Sequence, residues 1–204
     1  MNKKELRKKY IEIRKNIDEK KREKESKEIV GKLLDMISKG DYDAILLYAP
    51  LEYEVDVFPV FAASLSDGGS NRNLKKEETS DNTKKGANSS RLCFPRVKGS
   101  EMDFFFVKSE SELVEGSFNV REPVDSCELF KPEKEGRYLI VVPGVCFDKD
   151  GYRLGYGKGF YDKYLSKYAD FDFEKAGVCF KECFLEKAEH ESTDVPVDKV
   201  IIGG

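Results

Sequence analysis

The sequence holds a single histidine, His190, set in the polar run Glu189-His190-Glu191-Ser192-Thr193-Asp194. A Ser-His-Asp relay has little to be built from, and the plain reading of His190 is a surface or structural residue. No apolar run approaches the ~18–20 residues that a membrane-spanning helix needs. The first residues are charged and lack the apolar centre of a secretory signal. An excess of one charge is also missing. The 36 Lys and Arg face 39 Asp and Glu, for a net charge of −3, which gives no general attraction to nucleic acid or an anionic membrane. The five cysteines are an odd number. Leu92-Cys93-Phe94, Val145-Cys146-Phe147 and Val178-Cys179-Phe180 place three of them in apolar, strand-like contexts. That usage suits buried thiols in a reducing cytosol, not a disulfide framework. Cys179 and Cys183 stand four apart, with no second pair to complete a zinc site.

What is present is enough for one domain. The chain has 204 residues, 39% hydrophobic and 37% charged, which supports a real core under a heavily charged surface. Its most informative stretch is VVPGVCFDKDGYRLGYGKGFYDKYL, Val141 to Leu165. Leu139-Ile140-Val141-Val142 reads as a buried strand. Asp148-Lys149-Asp150-Gly151 is turn chemistry. Gly155, Gly157 and Gly159 alternate after Arg153, and Phe160 to Leu165 has helical spacing. Strand, glycine loop and helix in that order make a candidate phosphate site, with Arg153 and Lys158 adding positive charge. The spacing is neither Walker A nor GxGxxG. A glycine-rich turn before a helix is the plainer alternative.

Along the chain, residues 3 to 39 read as helix, with Leu6, Tyr10, Ile13 and Ile17 on one apolar stripe. Asn16-Ile17-Asp18 breaks it, Asp18 caps a second helix, and Gly40 ends that helix. The cations Lys3, Lys4, Arg7, Lys8, Lys9 and Arg14 read as a solvated face or as contacts to a triphosphate. Asp43 to Tyr48 is a short buried strand. Glu54 in the loop beyond it is placed to meet a ligand, since open α/β sheets bind beyond the carboxyl ends of their strands. A surface carboxylate is its default reading. Val57 to Leu65 reads as helix. Residues 66 to 90 are polar and nearly devoid of apolar side chains, and are expected to be a flexible insertion. Further strands are expected at 91–97, 102–107, 176–180 and 200–202, with an extended, packed loop at 117–123. Alternating strands and helices predict a single α/β domain with a mostly parallel sheet covered on both faces. Asp162, Asp194 and Asp198 are candidate oxygen ligands for Mg²⁺ beside phosphate.

Pro143-Gly144-Val145-Cys146-Phe147-Asp148, followed by Gly151-Tyr152-Arg153-Leu154-Gly155-Tyr156-Gly157-Lys158-Gly159-Phe160-Tyr161-Asp162, closely resembles the signature of the 5-formyltetrahydrofolate cyclo-ligase (methenyltetrahydrofolate synthetase) family. Lys3-Lys4-Glu5-Leu6-Arg7, Glu54-Val55-Asp56, Phe94-Pro95-Arg96-Val97, Gly116 to Pro123 and Asp194-Val195-Pro196-Val197-Asp198 match it in order. The insertion at 66–90 is outside the resemblance. The resemblance implies a NagB/RpiA/CoA-transferase-like, Rossmann-like fold. It implies ATP-dependent conversion of 5-formyltetrahydrofolate to 5,10-methenyltetrahydrofolate, with Mg²⁺. By the same resemblance, Lys3, Lys4, Glu5, Leu6, Arg7, Arg153, Leu154, Gly155, Tyr156, Gly157, Lys158, Gly159, Phe160 and Tyr161 contact ATP. Lys158 is expected on the γ-phosphate, and Arg153 adds charge. Ala49, Glu54, Tyr156, Gly157, Lys158, Gly159 and Phe160 are expected around the folate. Asp162 and Asp194 are expected to hold Mg²⁺. The expected setting is a cytoplasmic monomer acting on small molecules, without nucleic acid or membrane. A sugar-phosphate isomerase or CoA-transferase-like enzyme, and a binding protein without turnover, remain the rival classes.

Overall fold

The computed structural model describes residues 2–67 and 91–204. The chain opens with helix α1 (Lys3–Lys15) and helix α2 (Glu19–Lys39). Asn2 starts α1 through a capping box, its side chain accepting from the Glu5 amide and the Glu5 side chain accepting from the Asn2 amide. Asp18 starts α2 by accepting from the Lys21 amide at 3.2 Å, so the break expected at residues 16–18 falls where these caps put it. Gly40 closes α2 in an extended conformation, not a left-handed one. A Cβ there would stand 2.1 Å from the Tyr42 ring, so this glycine makes room instead of supplying a turn.

The elements that follow are β1 (Ala44–Leu46), α3 (Phe58–Asp67), β2 (Arg91–Lys98), β3 (Glu101–Phe106), β4 (Leu113–Glu115), β5 (Arg121–Pro123), β6 (Arg137–Val142), β7 (Cys146–Asp148), β8 (Arg153–Leu154), α4 (Phe160–Lys167), β9 (Asp172–Cys179), β10 (Phe184–Leu185) and β11 (Lys199–Ile202). Six strands form one sheet in the order β11-β9-β6-β1-β2-β3. Every neighbouring pair is parallel except β2 with β3. Side chains alternate across it. Ile45, Leu139, Val141, Ala176 and Val178 pack with Ile29, Leu33, Val60 and Phe61 of α2 and α3. Ala44, Leu46, Tyr138, Ile140 and Val142 pack with Tyr164 and Leu165 of α4 on the other face. The α/β expectation, with helices on both faces, holds. The expected insertion lies outside the described residues from 68 onward.

Two local features differ from the sequence reading, and the direction of one strand is not part of it. The stretch after β6 does not run from strand straight into glycine loop. β7 and β8 form a hairpin between them, and β10 joins β7 to make a second, three-stranded sheet. Asp148 holds that hairpin. Fully buried, it accepts from the Asp150 and Tyr152 amides through Oδ1 and from the Ala188 amide through Oδ2. Next, β3 runs antiparallel. Finally, the segment expected as an extended loop at 117–123 is partly strand, β5, paired with β4.

Gly177 in β9 faces the buried Phe147 ring, and a Cβ there would lie 2.4 Å from its Cε1. Gly177→Ala is expected to cost about 1–3 kcal/mol by overpacking, read as a lower urea midpoint. Phe147→Leu in the same background is expected to recover part of that loss.

Candidate active site

The glycine loop lies beyond the carboxyl end of β6, beside the Glu54 loop that follows β1, its sheet neighbour. Helix α1 covers it. Arg7 Nε donates to the Gly155 carbonyl at 2.7 Å. Gly157 has φ +92°, and a Cβ there would meet Arg7 Nη2 at 3.3 Å, so glycine allows both the turn and the arginine. Gly159, at φ +66°, is the N-cap of α4 and brings no side chain to cap it. The first-turn amides of α4 are therefore left available to an anion. Added Cβ atoms at Gly155 and Gly159 would meet nothing within 4 Å. Lys158 is exposed and, among the described residues, makes no hydrogen bond or ion pair. Its Nζ sits 5.5 Å from the centre of the Phe118 ring.

Two ion pairs flank the loop. Arg153 Nη2 donates to Asp162 Oδ1 at 2.7 Å and Nη1 to the Val195 carbonyl at 2.8 Å. The Val195 amide donates to the same Asp162 oxygen at 3.1 Å. One residue away, Asp194 Oδ2 accepts from Lys3 Nζ at 2.9 Å and from the Glu191 amide at 2.8 Å. Burial works to raise the Asp194 pKa. The Lys3 ammonium and the Glu191 amide outweigh it and hold the carboxyl below its ordinary value. In both aspartates the second carboxylate oxygen takes no hydrogen bond among the described residues.

Across the loop lies a buried polar cluster. Arg14 and Glu54, each with a side chain only 6% exposed, approach to 3.7 Å. Tyr156 stands between them. Its hydroxyl accepts from Arg14 Nη2 and donates to Glu54 Oε1 at 2.9 Å. Arg14 Nη1 also donates to the Gly144 carbonyl at 3.2 Å, and Glu54 Oε2 accepts from the Leu51 amide at 3.0 Å. Tyr156 is 45% exposed overall, its hydroxyl tied to both Arg14 and Glu54. Burial first, and the Glu54 carboxylate next, push its pKa up to about 12. Tyr161 presents its ring edge to Phe104, and its hydroxyl is buried without a partner. Burial raises its pKa, with Glu54 adding to the effect.

Of the residues singled out from sequence, Lys3, Arg7, Arg153 to Tyr161, Asp162, Asp194 and Glu54 converge here. Lys4 is exposed on α1. Glu5 is occupied in the capping box, and Leu6 packs into the core beneath α4. Leu154 is buried, and Ala49 packs in the core on the α2 side. His190 stacks on Tyr152 with centroids 3.7 Å apart. All five cysteines are free thiols, four of them buried. The solvated-face reading fails for Arg14. It lies on the same helical face as Lys3, Arg7 and Tyr10, at steps of four, three and four, and that spacing is the signal that was available. Phe118 carried no such signal. It is 60% exposed, φ +60° places it in the left-handed region, and Asn119 follows at +57°. Holding a non-glycine residue there costs on the order of 1 kcal/mol. Its ring sits 6.3 Å from that of Phe160. The groove between α2 and β11 is roomier but lies elsewhere. Its carboxylates, Asp35 and Glu174, are already paired with Lys39, Arg137 and Lys199.

The chain is 35% identical over 118 residues to a probable 5-formyltetrahydrofolate cyclo-ligase of Schizosaccharomyces pombe, covering 52% of this chain and 55% of that protein. It is 32% identical over 121 residues to the 5-formyltetrahydrofolate cyclo-ligase of Mus musculus, covering 54% and 60%. The chain thus spans little more than half the length of these relatives. The 5,10-methenyltetrahydrofolate synthetase of Aquifex aeolicus superposes with a TM-score of 0.76 at 31% identity, over 99% of this chain and 90% of that one. The synthetase of Mycoplasma pneumoniae, at 24% identity and a TM-score of 0.71 over 98% of each chain, shares the fold. The profile of the 5-formyltetrahydrofolate cyclo-ligase family matches residues 1–203, and the chain belongs to that family.

Proposed function

We propose that this chain converts 5-formyltetrahydrofolate to 5,10-methenyltetrahydrofolate, with ATP and Mg²⁺, releasing ADP and phosphate. The observation that carries this reading is the pairing of two unlike surfaces at one cleft. On one side are a helix N-terminus and glycine loop with Lys158, which has no ion-pair partner among the described residues. On the other is a fixed carboxylate, Glu54, with aromatic side chains around it.

The chemistry asks for little beyond positioning. A formamide oxygen is a poor leaving group. Attack of that oxygen on the γ-phosphorus breaks the bond to ADP and forms an imidate phosphate. The neighbouring N10 amine then bonds to the same carbon, the C–O bond breaks, phosphate leaves, and N10 loses its proton. No histidine is required. Lys158 neutralises charge on the transferring phosphoryl group, and the α4 amides hold phosphate oxygens. Arg153 adds positive charge at the loop's edge. Lys3, Lys4 and Arg7 bring cations from α1, and Arg7 holds the loop's shape. Glu54 accepts N–H donors of the pterin, between Tyr156 and Phe160. The donor set suits Mg²⁺, because Asp162 and Asp194 each keep one unbonded oxygen. Among the described residues no three His, Cys, Asp or Glu side chains converge as ligands. Phosphate and water would supply the remaining oxygens, as Mg²⁺ commonly requires, and the ion would supply charge neutralisation at the phosphates. We read the whole chain as a single cytoplasmic, monomeric domain acting on small molecules, without nucleic acid or membrane. Among the described residues no helix is long and apolar enough to cross a membrane.

Methenyltetrahydrofolate absorbance is expected to grow from 5-formyltetrahydrofolate only with ATP and Mg²⁺ together, and to stop when the ion is chelated. Product without ATP would favour an isomerase-like enzyme, and tight ATP binding without product a protein that binds but does not turn over. Lys158→Ala is expected to lower turnover by about 100-fold or more, as for one preorganised charge contact, with an unchanged melting curve. Turnover near wild type would remove Lys158 from this role.

A further inference from the structure

Arg14 has no part in the phosphate or pterin contacts above, yet it is the most enclosed cation of α1. Its guanidinium reaches three separate pieces of the site at once: the turn after β6 at Gly144, the glycine loop at Tyr156 and the loop after β1 at Glu54. These pieces lie 130, 142 and 40 residues away in sequence. Nε is buried without an acceptor. Two hydrogen-bond acceptors and one carboxylate at 3.7 Å, on three separate segments, fix how the guanidinium can turn. Tyr156 is the only side chain of the glycine loop that reaches across to Glu54, and it does so with its hydroxyl oriented by Arg14.

We propose that Arg14 is a positioning residue. It orients Tyr156 and Glu54 together, and so sets the glycine loop, on the nucleotide side, at a fixed distance from the carboxylate on the folate side. It touches neither substrate. The planar fork is what the role requires, because a lysine offers a point charge and cannot address the carbonyl, the phenol and the carboxylate in one plane. Loss of the fork releases the loop and the carboxylate from one another, so a donor and an acceptor that must meet in line are no longer held in register.

As a role in turnover, this inference rests on the folate–ATP reading; as a statement about the loop, it does not. The test is a double-mutant cycle of Arg14→Lys and Tyr156→Phe with two readouts. The first is hydrogen–deuterium exchange of the peptides spanning residues 51–55 and 154–159. The second is turnover, measured well below each variant's melting midpoint. Each single substitution is expected to speed exchange in both segments and to lower turnover at least ~5-fold. The double variant is expected to be no more than ~2-fold worse than the poorer single one, the signature of residues acting as a unit. Losses that multiply, or loop exchange unchanged in Arg14→Lys, overturn the proposal. A wild-type protein without turnover defeats the folate–ATP reading, while the exchange cycle still decides whether Arg14 positions the loop. Should Arg14→Lys fail to fold, Tyr156→Phe decides by exchange alone: unchanged exchange at residues 51–55 overturns the proposal, and faster exchange there together with 154–159 supports it.

Discussion

The docking of helix α1 on the glycine loop is the contact on which the rest of the site depends. Arg7 and Arg14 reach the loop at Gly155 and Tyr156, and Lys3 reaches the Asp194 segment. Without α1, the loop would be a run of glycines on the surface with free choice of conformation. With it, Gly157 is pinned in a left-handed turn under an arginine, and the α4 N-terminus faces one direction. A backbone anion site needs this kind of external brace, because its donors are amides with no side-chain packing of their own.

The charges around the loop are sorted by what they touch. Arg153 and Lys3 are neutralised by Asp162 and Asp194, Arg14 by Glu54, while Lys158 has no ion-pair partner among the described residues. The paired cations hold backbone elements together. The cation at Lys158 is exposed and, among the described residues, takes no hydrogen bond or ion pair, so it can turn to a ligand without first breaking one. Pairing of this type in a buried setting adds little net stability, since desolvation offsets attraction. It adds geometry.

Much of the fold was legible because the strongest signals are periodic. The helix break at residues 16–18, the buried strands at β1 and β6 and the helix after the glycine loop follow from spacing and caps. The short strands β7, β8 and β10 were not legible. Each is two or three residues long, and their pairing depends on the buried carboxylate of Asp148, whose sequence context reads only as a turn. The direction of β3 was not legible either, because alternation reports which face is buried and not which way a strand runs. In the site, Glu54, Arg153, Lys158 and the glycines could be named from the motif and its position after a strand. Arg14 could not be separated from its solvated neighbours by charge alone; its phase relative to Tyr10 held the information. Phe118 depends on two consecutive left-handed residues, and backbone strain of that kind leaves no trace in residue type when the residues are Phe and Asn.

The Lys3–Asp194 pair joins positions 191 residues apart, close to the two ends of the sequence. One side of the site is thus carried by α1 and the other by segments far along the chain, so displacing α1 would remove one wall of the site. The entropy of bringing Lys3 and Asp194 together grows only with the logarithm of the chain between them, so the 23 residues between α3 and β2 add little to that cost.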